Sequence, residues 1–259
     1  MPSSPPGPQH PRLRDLVASP DYFARVSEVT LKLDSARNVA NVADHLKEAV
    51  DRLGADVGAF VSYIVGHRDQ SFRFFLACDP RWYVEYEQSA WYADDPWLEY
   101  ASRHALPILA RDIPTGDAAQ GAIVRIAERY GFSSAVVVPA PAGRDLTRLG
   151  MLCLGSREPA YFDGEAFRSV SVAALPLALS LLDWSTRDAR HELLRSTLLH
   201  PEDLYLLELV RRGRSTKEIA KALDTTPTSL NSRFQRIIAK LGVPNKGAAA
   251  QLAAEYGLI

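Results

Sequence analysis

Apolar positions recur every three to four residues over 39–53, where Val39, Val42, Leu46, Val50 and Leu53 share one helical face and Gly54 supplies the stop. Residues 22–53 as a whole read mainly as helix. The period then shortens. Two runs rich in apolar, aromatic and β-branched residues, 57–65 and 72–78, read as strands around the turn-forming stretch 66–70. After Pro80 come an aromatic helix, the pair Asp95-Pro96, a second helical segment up to His104, and a short strand at 108–110. Residues 118–130 read as a helix ended by Gly131. Strands at 134–139 and 150–154 flank a loop over 140–149, and residues 162–184 form a long closing helix with a kink expected at Pro176. Helices on both faces of an antiparallel sheet of about five strands make an α/β/α sensor domain of the α+β class.

The last quarter of the chain has a different pattern. Leu204, Leu207 and Val210 recur at helical spacing, Gly213 breaks the helix, and Ser215 with Glu218 three residues on forms the capping-box pattern of the next one. Ile219, Ala222 and Leu223 continue the apolar face as far as the break at 224–227. Thr228 is the expected cap of a third helix carrying Leu230, Phe234, Ile237, Ile238 and Leu241, ended by Gly242. An alanine-rich fourth helix spans 246–256. Four short helices sharing one small core, in the order helix, turn, helix, follow the helix-turn-helix plan. With the apolar side turned inward, Thr228, Asn231, Ser232, Gln235 and Arg236 project together on the outside of the third helix, and Arg233 and Lys240 lie at the margin. Asn and Gln suit adenine edges, and Arg and Lys suit phosphates or guanine, so this face has the chemistry of a DNA reader.

The chain has 259 residues with 47% hydrophobic content, enough for one large and one small packed domain. Its net charge is −1, so affinity for nucleic acid depends on local asymmetry. The terminal module supplies that asymmetry through Arg211, Arg212, Arg214, Lys217, Lys221, Arg233, Arg236, Lys240 and Lys246. Cys78 and Cys153 are the only cysteines, a usage that fits buried thiols in a reducing compartment, with no metal spacing. The six histidines are scattered, and neither a metal box, a Ser-His-Asp arrangement nor a glycine-rich phosphate loop is present. These absences argue against a lactone-hydrolysing enzyme, the remotest of the alternatives. The Pro-rich start lacks the apolar core of a signal peptide and reads as a flexible arm, and the run 170–182 is too short and interrupted to span a bilayer. The expectation is a cytoplasmic protein without a membrane partner.

The run RSTKEIAKAL, then SLNSRFQRIIAKLGVPNK and a terminal GLI, resembles the DNA-binding domain of LuxR-type quorum-sensing regulators. Arg233 stands where that family commonly has His, and Ser229-Leu230 replace a Thr-Val pair. A second resemblance lies upstream. On the residues alone, the aromatic segment PRWYVEYEQSAWYADDPW is open to two readings, a pocket with apolar walls and a few polar anchors or, the favoured one, packing between helices and sheet. A Trp, a Tyr four residues later and an Asp-Pro pair are, however, similar to the autoinducer-binding signature of the same family, matched by Trp82, Tyr86, Asp95 and Pro96. The resemblance implies an acyl-homoserine lactone ligand and no other cofactor, with Trp82 donating to the lactone carbonyl, Asp95 accepting from the amide and Tyr86 donating to the acyl carbonyl. Cys153 falls on the strand position that often carries a small hydroxyl residue. Ala110 replaces a further pocket Trp and Ala135 a Gly, so Trp97 is expected to fill the space left at Ala110. The alternative is a family member that is ligand-independent or takes another small molecule. The expected organisation is an arm over 1–18, the sensor over 19–184, a linker over 185–199 and the DNA-binding domain over 200–259. Its expected partners are DNA, a small-molecule autoinducer and a second copy of the chain in a homodimer.

Overall fold

The computed structural model describes residues 11–64, 72–141 and 148–259. The chain divides into two compact units, one built on residues up to 141 and on 149–184, the other on 185–259. The turn expected at 66–70 and most of the loop 140–149 lie outside the described residues.

The first unit opens with helices α1 Pro11–Val17, α2 Tyr22–Lys32 and α3 Val39–Leu53. Helix α1 corrects the expected arm: Leu13 is fully buried among α2 and α3 residues, which gives this stretch a packing reason to be helical. Asn38 caps α3 by accepting from the Asn41 N–H, and Gly54 ends it in the left-handed region at φ 83°. Strands β1 Val57–Ile64 and β2 Arg73–Ala77 follow, then helices α4 Arg81–Gln88 and α5 Pro96–Arg103, the short β3 Ile108–Leu109, and helix α6 Ala118–Arg129. Strands β4 Ser134–Ala140 and β5 Arg148–Ser156 complete an antiparallel sheet in the order β2-β1-β5-β4-β3.

Both faces of this sheet are covered, and the side-chain alternation shows it. Phe60, Val136, Val138, Leu152 and Leu154 point into a core shared with α1 to α3 and the long helix α7 Glu165–Thr197. Their neighbours Ala59, Val61, Ala135, Val137, Met151 and Cys153 point into a second core beneath α4 to α6. Burial on both sides is why these strands read as nearly continuous apolar runs. Helix α7 is long and apolar enough to cross a membrane, but Val170, Ala174, Leu177, Ala178 and Leu181 are buried in the first core, and that burial accounts for its composition.

The stretch 185–197, read from the sequence as part of a linker, is the continuation of α7. It is charged and free of Gly and Pro, so nothing in it stops a helix already under way. In the second unit, α8 Pro201–Arg211, α9 Thr216–Ala222, α10 Pro227–Leu241 and α11 Lys246–Glu255 share one small core around Leu206, Leu207, Ile219, Leu230, Phe234 and Ile237. Ser215 and Glu218 form the anticipated capping box of α9. Two details differ from expectation. Leu206 and Leu207 bury the inner side of α8 more deeply than Leu204 and Val210. The cap of α10 is Thr226, which accepts from the Ser229 N–H, and not Thr228. Pro227 takes the first helical position, where its missing N–H costs nothing.

Candidate functional site

The second core of the sensor unit is dense with aromatic rings. Trp82 and Tyr86 lie one turn apart on α4 with ring centroids 5.1 Å apart, and Phe74 of β2 meets Tyr86 edge-on at 5.7 Å. All of Trp82, Tyr86, Asp95, Trp97 and Cys153 are buried, and the four apart from Asp95 belong to this single cluster. Asp95 joins it by hydrogen bond. Its Oδ2 accepts from the Tyr86 hydroxyl at 2.8 Å, and its Oδ1 caps α5 by accepting from the N–H groups of Trp97 at 2.8 Å and Leu98 at 3.4 Å. The hydroxyl and carboxylate that the resemblance assigns to a ligand thus face each other.

Burial raises the Asp95 carboxyl above its ordinary value, against the pull of these three donors. The same burial, with the Asp95 charge nearby, pushes the Tyr86 hydroxyl and the Cys153 thiol well up, and lifts Tyr63 to about 12. All three therefore stay neutral across the physiological range and act as hydrogen-bonding groups. Tyr63 was not singled out in the sequence, because a tyrosine on a strand carries no local mark of the carboxylate its fold neighbours supply.

Trp97 lies beside Ala110 but does not fill the space expected of it. With Leu109, Phe132, Ala135 and Asp163 they line a cavity of about 70 Å³. Phe132 links this cavity to the triad, since its ring lies 6.1 Å from both Trp82 and Trp97. Asp163 is buried and was missed by sequence reading: its Oδ2 accepts from Arg111 Nη1 at 2.6 Å.

In the second unit, Thr228, Asn231, Ser232, Gln235 and Arg236 are exposed on one side of α10. Ser232 donates to the Thr228 carbonyl, while Asn231, Gln235 and Arg236 are left available. Arg233 and Lys240 are placed differently. Arg233 Nε donates to Asp203 Oδ1 at 3.0 Å and its Nη2 to Glu202 Oε2 at 2.7 Å. Lys240 Nζ donates to the Leu198 carbonyl at 2.6 Å and lies 3.8 Å from Asp203 Oδ2. Asp203 also accepts from the His200 N–H at the start of α8. These two cations are committed to internal partners that tie α10 to α8 and to the end of α7. Several other basic groups are committed likewise: Arg212 to Glu208, Arg214 to Glu218, and Lys246 to Thr216 and the Phe234 ring.

Residues 38–184 match the family model of the autoinducer-binding domain, and residues 200–253 match that of the bacterial regulatory proteins of the luxR family. No curated protein matches the chain. Among solved structures, SdiA in complex with octanoyl-rac-glycerol is similar with a TM-score of 0.71 at 17% identity, over 93% of this chain and 97% of that one. Escherichia coli SdiA in a further crystal form gives a TM-score of 0.72 at 17% identity, over 92% and 99%. The N-acylhomoserine lactone dependent transcription factor CepR2 from Burkholderia cenocepacia gives 0.54 at 17% identity, over 63% of this chain and 95% of that one.

Proposed function

The chain belongs to the LuxR family of bacterial regulators, with an autoinducer-binding domain ahead of the DNA-binding one, and from that premise we propose that it binds an N-acylated signal in its sensor and a pseudo-palindromic operator as a cytoplasmic homodimer. The ligand expected from the family is an acyl-homoserine lactone. The observation that carries this reading is the buried Tyr86–Asp95 pair beside Trp82. Asp95 is held in the core at a cost, with its carboxyl raised, and an amide N–H from a ligand is a donor able to repay part of that cost at Oδ2. Tyr86 then has a hydroxyl free to donate to an acyl carbonyl, and Trp82 an indole N–H for an acceptor on the head group.

A ligand that packs into the aromatic layer adds buried apolar surface to the folded sensor and stabilises it by linkage. A two-fold dimer places one α10 in each half-site. Asn231 and Gln235 are assigned to base edges and Arg236 to phosphate, whereas Arg233 and Lys240 serve the fold of the unit. The test is the thermal midpoint of the full-length protein with a panel of acyl-homoserine lactones, repeated in Asp95→Asn. At about 100 times its dissociation constant a ligand adds roughly 2.7 kcal/mol, and the midpoint rises. An upward shift that persists undiminished in Asp95→Asn would remove Asp95 from the site.

A further inference from the structure

Helix α7 also carries apolar residues on the side turned away from the first core. Val172 is 60% exposed and Leu179 46%, and between them Pro176 is exposed and Leu175 half-buried. Steps of three and four residues place these four on one stripe of the helix, and the same steps reach the exposed Arg168 at one end and the exposed Asp183 at the other. An apolar strip closed by charged ends has the layout of a small interface, with a dry centre and a polar rim.

The order along the strip decides which partner fits. An axis between Leu175 and Pro176 has Val172 and Leu179 equally far on either side, and Arg168 and Asp183 equally far beyond them. Two copies of α7 laid antiparallel about a two-fold axis at this point bring Val172 against Leu179 of the other copy, Leu175 against its Pro176, and each Arg168 to the opposite Asp183. Ends of the same sign would repel in this arrangement, whereas ends of opposite sign attract at both. A partner of another sequence requires no such symmetry, and a second copy does. We infer that the outer face of α7 is a homodimer contact of the sensor unit, an antiparallel helix pair centred between Leu175 and Pro176 and bounded by two Arg168–Asp183 pairs between the copies. The inference rests on the reading that the chain acts as a homodimer, and it names the surface. The strip is about 22 Å long and one helix of ~10 Å wide, smaller than the ~800 Å² a side of a standard interface, so association through it is expected near the micromolar range.

Sedimentation equilibrium of the full-length protein, alone and with N-octanoyl-homoserine lactone, reads the dimer constant, and each variant is checked for native circular dichroism. Leu179→Gln places a polar group on the strip and is expected to weaken the dimer by at least ~10-fold. Arg168→Glu brings two acidic groups together at each end and Asp183→Arg two basic ones, so either alone weakens it by at least ~10-fold as well. The two single variants mixed in equal amounts restore an opposite pair at both ends, and their heterodimer is expected within about threefold of the wild-type constant; so is the homodimer of the chain carrying both exchanges. Asp183 also interacts within its own chain, and a loss arising there is not recovered by mixing. Dimerisation untouched by both reversals and by Leu179→Gln puts the contact elsewhere and overturns the assignment, while the homodimer reading stands. Losses that neither mixing nor the double exchange recovers overturn it too. A wild type that stays monomeric with and without the lactone gives this face to another occupant and removes the homodimer reading together with it.

Discussion

Arg233 occupies the middle of the helix expected to read DNA, yet its guanidinium points back to Glu202 and Asp203, and Arg233→Ala separates the two roles. Asp203 is only 8% exposed at its side chain and Arg233 31%, so the pair is neither a surface ion pair of negligible worth nor a fully dry one. Removing Arg233 leaves the carboxylate with the His200 N–H at 3.1 Å and a distant Lys240. A charge-assisted hydrogen bond lost with one partner left partly buried costs about 2 kcal/mol. That corresponds to roughly 30-fold faster amide exchange in α8 and α10, the two helices it joins, when the full-length protein is followed by hydrogen exchange. The pH dependence follows from the same network. Burial raises the Asp203 carboxyl, but the His200 N–H, Arg233 and Lys240 outweigh it and hold it below the ordinary value of 3.8. A lowered folded-state value contributes stability that is present above the unfolded carboxylate value and is lost as pH falls through the folded one. Protection of α8 and α10 therefore declines below about pH 4 in the wild type, and the decline is smaller in Arg233→Ala. If exchange in α8 and α10 is unchanged while the salt dependence of DNA binding loses about one phosphate's worth of slope, the residue contacts DNA and the argument from its internal pairs is wrong.

Other substitutions test other parts of the construction. A Cβ on Gly155 would stand 2.5 Å from Phe132 Cδ1, 2.8 Å from Val57 Cγ2 and 2.9 Å from the Gly131 carbonyl, so Gly155→Ala is expected to destabilise the sensor by about 1–3 kcal/mol, read by chemical denaturation. Because Phe132 lines the cavity, ligand affinity should fall in the same variant. Thr226→Ala removes the cap of α10 and costs about 1 kcal/mol, whereas Thr228→Ala leaves stability nearly unchanged; the reverse ranking in hydrogen exchange of α10 would restore Thr228 as the cap. For Asp95 the sign is opposite to that of Asp203: its raised value means that the first unit gains stability as pH falls toward and through that value, and Asp95→Asn flattens this part of the profile in pH-dependent unfolding.

The fold was legible wherever a local pattern had a local cause. The 3.6-residue spacing of Val42, Leu46, Val50 and Leu53, the stop at Gly54 and the Ser215–Glu218 box all depend on residues within a few positions of each other, and the structure holds them as read. What stayed hidden depends on contacts distant in sequence. Nothing around Leu13 announces that it is buried by α2 and α3, so the first helix looked like part of an arm. The stretch after Trp184 is polar enough to resemble a linker, and only the uninterrupted helix shows that polarity there marks a solvated face. The candidate site divides along the same line. Trp82, Tyr86 and Asp95 lie within fourteen residues in an ordered signature and were found together, whereas Asp163 meets Trp97 only through the fold, 66 positions away.

Three buried aspartates show how a structure distributes the cost of a charge. Asp203 is ringed by the His200 N–H, Arg233 and Lys240, its carboxyl is lowered, and its partners join α8 to α10: the charge is satisfied and its work is to hold the unit together. Asp95 has three donors but none that is charged, and its carboxyl is raised, so it retains capacity for a further donor. Asp163 has one oxygen on Arg111 and the other without a hydrogen-bond partner. A completed network marks structure, and a raised carboxylate with room for a further donor, as at Asp95, is where the proposed ligand amide is expected. By that criterion Arg233 belongs with the fold although it lies on the helix expected to read DNA.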